Sequence, residues 1–180
     1  MYAKCGMLDR SQELFDELLV DMYAKCGALA MSQALFDELS VHDTVSWNAL
    51  ICGYTQQCQD GEALNLFDWM QKEGFSPGSV TFASILRACA NICVISKGKY
   101  IHYDIKKRCL EEDVVISTAL MDMYGKCGEV EKAKEVFGEL TIRDLACWTT
   151  LISGYAHQKL GEGMLSNICG RDSSDKGQKS

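Results

Sequence analysis

Of the 180 residues only one is proline and three are histidine, and no apolar run approaches the roughly 18 residues that cross a bilayer. No membrane partner is therefore expected. Positive charge is scarce too: 18 Lys and Arg face 25 Asp and Glu, a net charge of −7, so composition does not offer the basic surface that normally binds phosphate. Residues 1–20 are acidic, with neither the apolar core of a signal peptide nor an Arg-rich transit pattern, so no targeting peptide is expected within them. A single proline leaves helices unbroken, and with 47% hydrophobic residues and 15 glycines this suits a helical array.

Cysteine is not scarce. Ten suggest a disulfide scaffold at first, but Cys5, Cys26 and Cys127 hold the same place in successive segments, while Cys58, Cys89, Cys93 and Cys109 show no paired framework. The expectation is reduced, helix-packed thiols in a reducing compartment.

What the chain has is repetition. Met22-Tyr23-Ala24-Lys25-Cys26-Gly27 recurs as residues 1–6 and, with one change, as Met123-Tyr124-Gly125-Lys126-Cys127-Gly128. At an offset of 101 residues, Phe36, Glu38, Leu39, Asp43, Trp47, Leu50, Ile51, Gly53 and Tyr54 all meet their own kind. The repeat, not the chain, is the folding unit. Residues 1–19 also match 22–40 at an offset of 21, too short for a helical pair and with no turn residue at the join. There the expectation is a continuous helix over 9–25, or a tandem duplication.

Amphipathic segments ending at Gly27, Gly74 and Gly128 predict helices over 17–25, 29–39, 46–57, 60–73, 81–90, 96–110, 116–126, 129–140 and 147–157, each of these glycines serving as a left-handed cap. In second helices a small residue precedes a large one by four, as in Ser32/Phe36, Ala63/Phe67, Gly98/His102 and Ala133/Phe137, so both share a face. Phe36, Phe67, Phe137, Trp47, Trp148, Leu50 and Leu151 read as core. His42 and His157 read as exposed turn histidines. The fold class is all-α, a right-handed solenoid of antiparallel helix-turn-helix repeats.

The tetratricopeptide pattern is met in part by Trp47, Leu50, Tyr54, Ala63, Phe67 and Pro77, but its glycine is Ile51 here and Ile152 later. Units of 35 (44–78), 35 (79–113) and 31 (114–144) residues in fixed order fit another family better. With VSWNALICGY, EALNLFDWM and EGFSPG in 44–78, TFASILRACA and KGKYIH in 79–113, and ALMDMYGKCG, AKEVFGEL and IRD in 114–144, the chain resembles the plant pentatricopeptide repeat family, in its subfamily of alternating P, L and S motifs. The resemblance divides the chain into 1–21 (a truncated, duplicated S-type repeat), 13–43 (S), 44–78 (P), 79–113 (L), 114–144 (S), 145–165 (a partial P repeat) and a disordered tail over 166–180. It also suggests a fragment lacking a C-terminal deaminase domain.

Such an array implies single-stranded RNA as partner, read about one base per repeat by two or three side chains. The family's fifth and last motif positions fall on Asn48/Gly78, Ala83/Asp113 and Thr118/Asp144, with Thr149 opening a further pair. Thr118/Asp144 resembles the guanine-preferring combination and Asn48 the pyrimidine-preferring residue, whereas Ala83 offers no polar group and Glu17/Asp43 fits no combination. Val45, Val80 and Val115 fall where the family sandwiches a base; the alternative is a packed valine at a helix start. Lys25 and Lys126 fall at the family's phosphate contact, or else serve as cations near a helix C-terminus, worth about 0.3–1 kcal/mol. The basic run Lys97, Lys99, Lys106, Lys107 and Arg108 lies on a second helix and reads as a solvated face.

The family's deaminase domains bind zinc through H-x-E and C-x-x-C, for which His102-Tyr103-Asp104 and Cys89-x3-Cys93 are poor imitations. No catalytic residue, metal, cofactor or small-molecule substrate is expected. The function implied is sequence-selective RNA recognition for organellar RNA processing or C-to-U editing, in mitochondrion or chloroplast, with editing or processing factors supplying chemistry. The acidic charge keeps a tetratricopeptide-like protein scaffold as the alternative, and the broken first repeat keeps a non-functional truncated product.

Overall fold

The computed structural model describes residues 18–39 and 42–174, with side chains through 159, and within them every regular element is a helix. The chain divides into two units, Met1–Ile92 and Cys93–Ser180, the division falling inside the 79–113 repeat.

The first unit contains α1 (18–25), α2 (Leu29–Glu38), α3 (Thr44–Gln56), α4 (Asp60–Lys72) and α5 (Ser79–Asn91). Short turns fold successive helices back on one another, so α3 packs on α2, α4 and α5. Phe36, Trp47, Leu50, Ile51, Phe67, Met70 and Phe82 are fully buried between them. Trp47 sits edge-on to Phe36 at 4.6 Å and to Trp69 at 5.1 Å. Removing a core ring of this kind costs about 3–5 kcal/mol.

The second unit contains α6 (Ile95–Lys107), α7 (Val114–Lys126), α8 (Val130–Glu139) and α9 (Leu145–Ser174). Here α7 is central, packed on α6, α8 and α9. Ile101, Ile105, Ile116, Met121, Met123 and Ala133 form its fully buried core.

The sequence repeat reappears as repeated packing. In the first unit a Cβ added to Gly53 of α3 would lie 2.8 Å from the Ala24 Cβ; in the second, a Cβ added to Gly154 of α9 would lie 3.2 Å from the Gly125 Cα of α7. Positions 24 and 53 are 125 and 154 at the 101-residue offset, so both crossings depend on the same missing side chain. Gly98 likewise admits the Met123 thioether, which a Cβ would meet at 2.6 Å.

Gly27, Gly74 and Gly128 are the left-handed caps expected, at φ +78°, +84° and +80°. Three further caps are cysteines: Cys58, Cys93 and Cys109, at φ 56°, 53° and 55°. The thiols thus depart from the helix-packed expectation. Cys89 and Cys147 are buried, but Cys26, Cys58, Cys93 and Cys109 are exposed in turns; all the described cysteines are free. Cysteine is unremarkable in sequence at such a position because nothing in its chemistry signals positive φ.

Helices α3, α5, α7 and α9 each begin two residues earlier than expected. At three of them the cause is an aspartate cap: the Asp43 side chain accepts from Ser46 N at 2.7 Å, Asp113 from Val115 N at 2.9 Å, and Asp144 from Cys147 N at 2.9 Å, while at α5 the cap is Gly78, whose N–H donates to the Thr81 hydroxyl at 3.2 Å. At its far end α9 does not turn after Tyr155 but continues to Ser174, through residues 166–174 where a disordered tail was expected. The rank held by left-handed Cys58 in α3 belongs here to Lys159, which stays helical. Of the helix expected over 9–25, residues 18–25 are helical, while residues 9–17 and most of the duplicated repeat over 1–21 lie outside the described residues.

Two core assignments need correcting. Trp148 is 50% exposed, since among the described residues it has Phe137 at 4.7 Å but no counterpart of the box around Trp47, and Leu151 is only half-buried. His42, expected in solvent, stacks on Phe36 at 4.2 Å while its Nε2–H donates to the Phe36 carbonyl at 3.0 Å. One superperiod on, Arg143 does the same for α8, donating to the Phe137 carbonyl at 3.0 Å and the Gly138 carbonyl at 2.9 Å. Both close the end of a second helix by satisfying its last carbonyls. His157 is exposed as expected.

Candidate nucleic-acid interface

Val45, Val80 and Val115 each stand at the second position of a first helix and are 59%, 58% and 59% exposed. A β-branched apolar side chain at each helix start is thus left in water rather than in a packed turn.

In the first unit Asn48, half-buried on α3, accepts through Oδ1 from the Thr81 hydroxyl, while the Thr81 Oγ1 itself accepts from Gly78 N at 3.2 Å. Thr81 therefore joins Asn48 to Gly78, and with Oδ1 occupied the Asn48 amide offers its N–H groups as donors. Sequence reasoning passed over Thr81; its signal was a hydroxyl three residues into a helix whose cap is glycine.

In the second unit Thr118 and Asp144 converge on Cys147 rather than on each other. Thr118 Oγ1 lies 3.9 Å from Cys147 Sγ, and the Asp144 carboxylate accepts from Cys147 N. The Thr118 hydroxyl hydrogen is committed to the Val114 carbonyl at 2.6 Å, which leaves its oxygen as an acceptor. Hydrogen bonds from Cys147 hold the Asp144 carboxyl below the usual carboxylate range, so it too is an acceptor only. Ala83 and Asp113 fall in different units, Asp113 capping α7. Thr149 is exposed and turns its hydroxyl to the Ala146 carbonyl at 3.0 Å.

Lys25 and Lys126 each pair with a carboxylate one turn earlier, Asp21 at 2.6 Å and Asp122 at 2.8 Å. Such exposed pairs are worth little and are easily exchanged for another anion. On α6, Lys99 pairs with Glu129 at 2.7 Å, Lys106 with Glu139 at 3.2 Å and Arg108 with Asp104 at 3.1 Å, so the basic run is largely neutralised. His102, on the same helix, shares a 2.8 Å hydrogen bond with the Tyr124 hydroxyl. Burial chiefly, and then Lys106, lowers the His102 pKa, and burial pushes Tyr124 up to about 12. Among the described residues no group of three or more His, Cys, Asp or Glu is placed to hold a metal, and no helix is long and apolar enough to cross a membrane.

Models of the PPR repeat family match residues 42–91, and of the PPR repeat residues 1–21, 115–145 and 146–166, which together take in most of the chain. The chain belongs to the PPR repeat family. It is similar to the mitochondrial pentatricopeptide repeat-containing protein At3g02330 of Arabidopsis thaliana (39% identical, covering 90% of this chain and 18% of that protein). The chloroplastic At1g08070 of the same plant is 42% identical, with 87% and 18% covered. The chain thus spans less than a fifth of these relatives' length. Among solved structures, the crystal structure of the pentatricopeptide repeat protein PPR10 from maize matches with a TM-score of 0.56 at 21% identity, covering 86% of this chain and 24% of that one. That likeness establishes the PPR fold, the helical repeat solenoid expected from the sequence.

Proposed function

We propose that this chain binds single-stranded RNA with sequence selectivity and serves as a recognition module in organellar RNA processing, most specifically C-to-U editing by factors that bring the chemistry. The observation that carries the reading is the exposure of Val45, Val80 and Val115, each at the second position of a first helix. A protein with no ligand to place there would gain by burying them. The names of relatives assigned to mitochondrion and chloroplast support an organellar site of action, and the P, L and S order supports an editing role.

The hydrogen bonding supports particular bases. Thr118 and Asp144 present acceptors only, and guanine is the base whose pairing edge offers two adjacent donors, N1–H and N2–H. Asn48, with Oδ1 occupied by Thr81, presents donors, which suit the carbonyls of a pyrimidine. Affinity is modest: about 1–3 kcal/mol per base read or stacked, over three repeats and before ordering costs, falls short of the roughly 12 kcal/mol of nanomolar binding.

Selection from a random single-stranded RNA pool against the purified chain tests the reading, with an enriched motif containing a guanine expected. Thr118→Asn then moves preference at that position from G toward U, and Asp144→Asn, which keeps a capping side chain but adds a donor, moves it toward A. Lys106→Ala on α6 changes nonspecific affinity alone. A pool that returns no motif favours the protein-scaffold reading. That alternative draws on an open cleft of about 360 Å³ in the first unit, lined by Gln33, Tyr54, Glu62, Asn65, Leu66 and Trp69. Burial, Glu62 and Asp37 raise the Tyr54 pKa there, a field suited to a basic side chain.

A further inference from the structure

We propose that Cys93 and Cys127 form a dithiol site whose substrate is a small-molecule disulfide, by exchange with which they close an intramolecular disulfide. Cys93 stands in the turn before α6, exposed, in the left-handed backbone conformation that projects its side chain out of the turn. Its Sγ lies 3.9 Å from the Lys126 carbonyl, and its thiol is hydrogen-bonded to that of Cys127, the half-buried cap residue of α7. Both sulfurs sit in turns rather than in helix interiors, where the backbone can adjust to bring them to bonding distance.

The two thiols are not equivalent. Burial first, and then the charge of Cys93 and the hydrogen bond to it, push Cys127 up to about 11, whereas Cys93 is open to solvent. Cys93 is therefore the attacking group. With oxidised glutathione, the Cys93 thiolate attacks one sulfur, forms a protein–glutathione disulfide and releases one glutathione thiolate, which takes up the proton Cys93 lost. That step abolishes the negative charge on Cys93, and with it part of what kept Cys127 protonated. Cys127 then loses its proton, attacks Cys93 Sγ and expels the second glutathione. The chain gives up two hydrogens and two electrons, and oxidised glutathione becomes two reduced molecules. Because the bond closes a loop from 93 to 127 across α6 and α7, the oxidised chain resists unfolding more than the reduced one.

The test treats the reduced, purified full chain with oxidised glutathione, blocks remaining thiols by alkylation and maps tryptic peptides by mass spectrometry. The expected product joins the peptide of residues 88–97 to that of 127–132, with fragmentation assigning the bond to Cys93 rather than the buried Cys89. Cys26, Cys58 and Cys109 carry at most glutathione. Cys127→Ser leaves glutathione trapped on Cys93, Cys93→Ser yields no joined peptide, and Cys89→Ser retains it. The proposal is overturned if native Cys93 accumulates the glutathione adduct while Cys127 is still alkylated, or if Cys93→Ser leaves the joined peptide in place.

Discussion

Replacing Cys58 and Cys109 by glycine should stabilise the protein, although neither change adds a contact. Both residues hold a left-handed backbone, at φ 56° and 55°, and both are exposed. An L-residue pays about 1–2 kcal/mol for that conformation. Glycine removes the cost but gives the unfolded chain more freedom, worth about 0.4–1 kcal/mol. The difference is about 0.5–1 kcal/mol per site, and because the two lie in different units the effects should add to about 1–2 kcal/mol. Urea unfolding followed by far-ultraviolet circular dichroism reads this as a midpoint higher by roughly 0.5–1 M. The reciprocal changes, Gly74→Ala and Gly128→Ala, isolate the backbone term, since an added Cβ would meet nothing within 4 Å at either. Each should cost about 0.5–1 kcal/mol. Cysteine-to-glycine variants with an unmoved or lowered midpoint, beside neutral glycine-to-alanine variants, would refute the reasoning.

Gly125→Val should lower stability by about 1–3 kcal/mol, because the added carbons meet the Gly154 backbone of α9, while Gly138→Ala, with open space in the last turn of α8, should raise it by about 0.5 kcal/mol; thermal melts of the two variants should move in opposite directions. His102 is held neutral in the folded chain by burial and Lys106, so the unfolded chain binds the extra proton and stability is lost as pH falls through about 6.5. His102→Gln should therefore show a shallower loss of unfolding free energy between pH 7 and 5 than the wild type. Phe36→Ala should cost about 3–5 kcal/mol and release His42 from its stack, seen as a His42 imidazole resonance moving to its free-solution position.

The helices were legible because apolar periodicity and Gly27, Gly74 and Gly128 carry the same message, and glycine advertises a left-handed cap. Cys58, Cys93 and Cys109 hid the other three caps, since there tertiary structure overrides a local preference. The aspartates were visible but were given only a role toward RNA, so first helices were begun two residues late. Trp148 matches Trp47 in sequence and not in burial: a residue's own identity cannot report which rings surround it. At the candidate interface the positions came from the family resemblance. Which of their atoms are already occupied was not legible, because Thr81 and Cys147 reach them only once neighbouring helices pack.

That Asp113 and Asp144 begin helices restricts the vocabulary open to those positions. A residue there has to accept a hydrogen bond from the first turn or tolerate an extended backbone, and Asp, Asn, Ser, Thr and Gly are the residues that do so at little cost. Any substitution that alters what such a position recognises must either stay within those five or give up about 1 kcal/mol of helix stability. Diversification of this surface is thus channelled by the mechanics of starting a helix, before any ligand exerts selection on it.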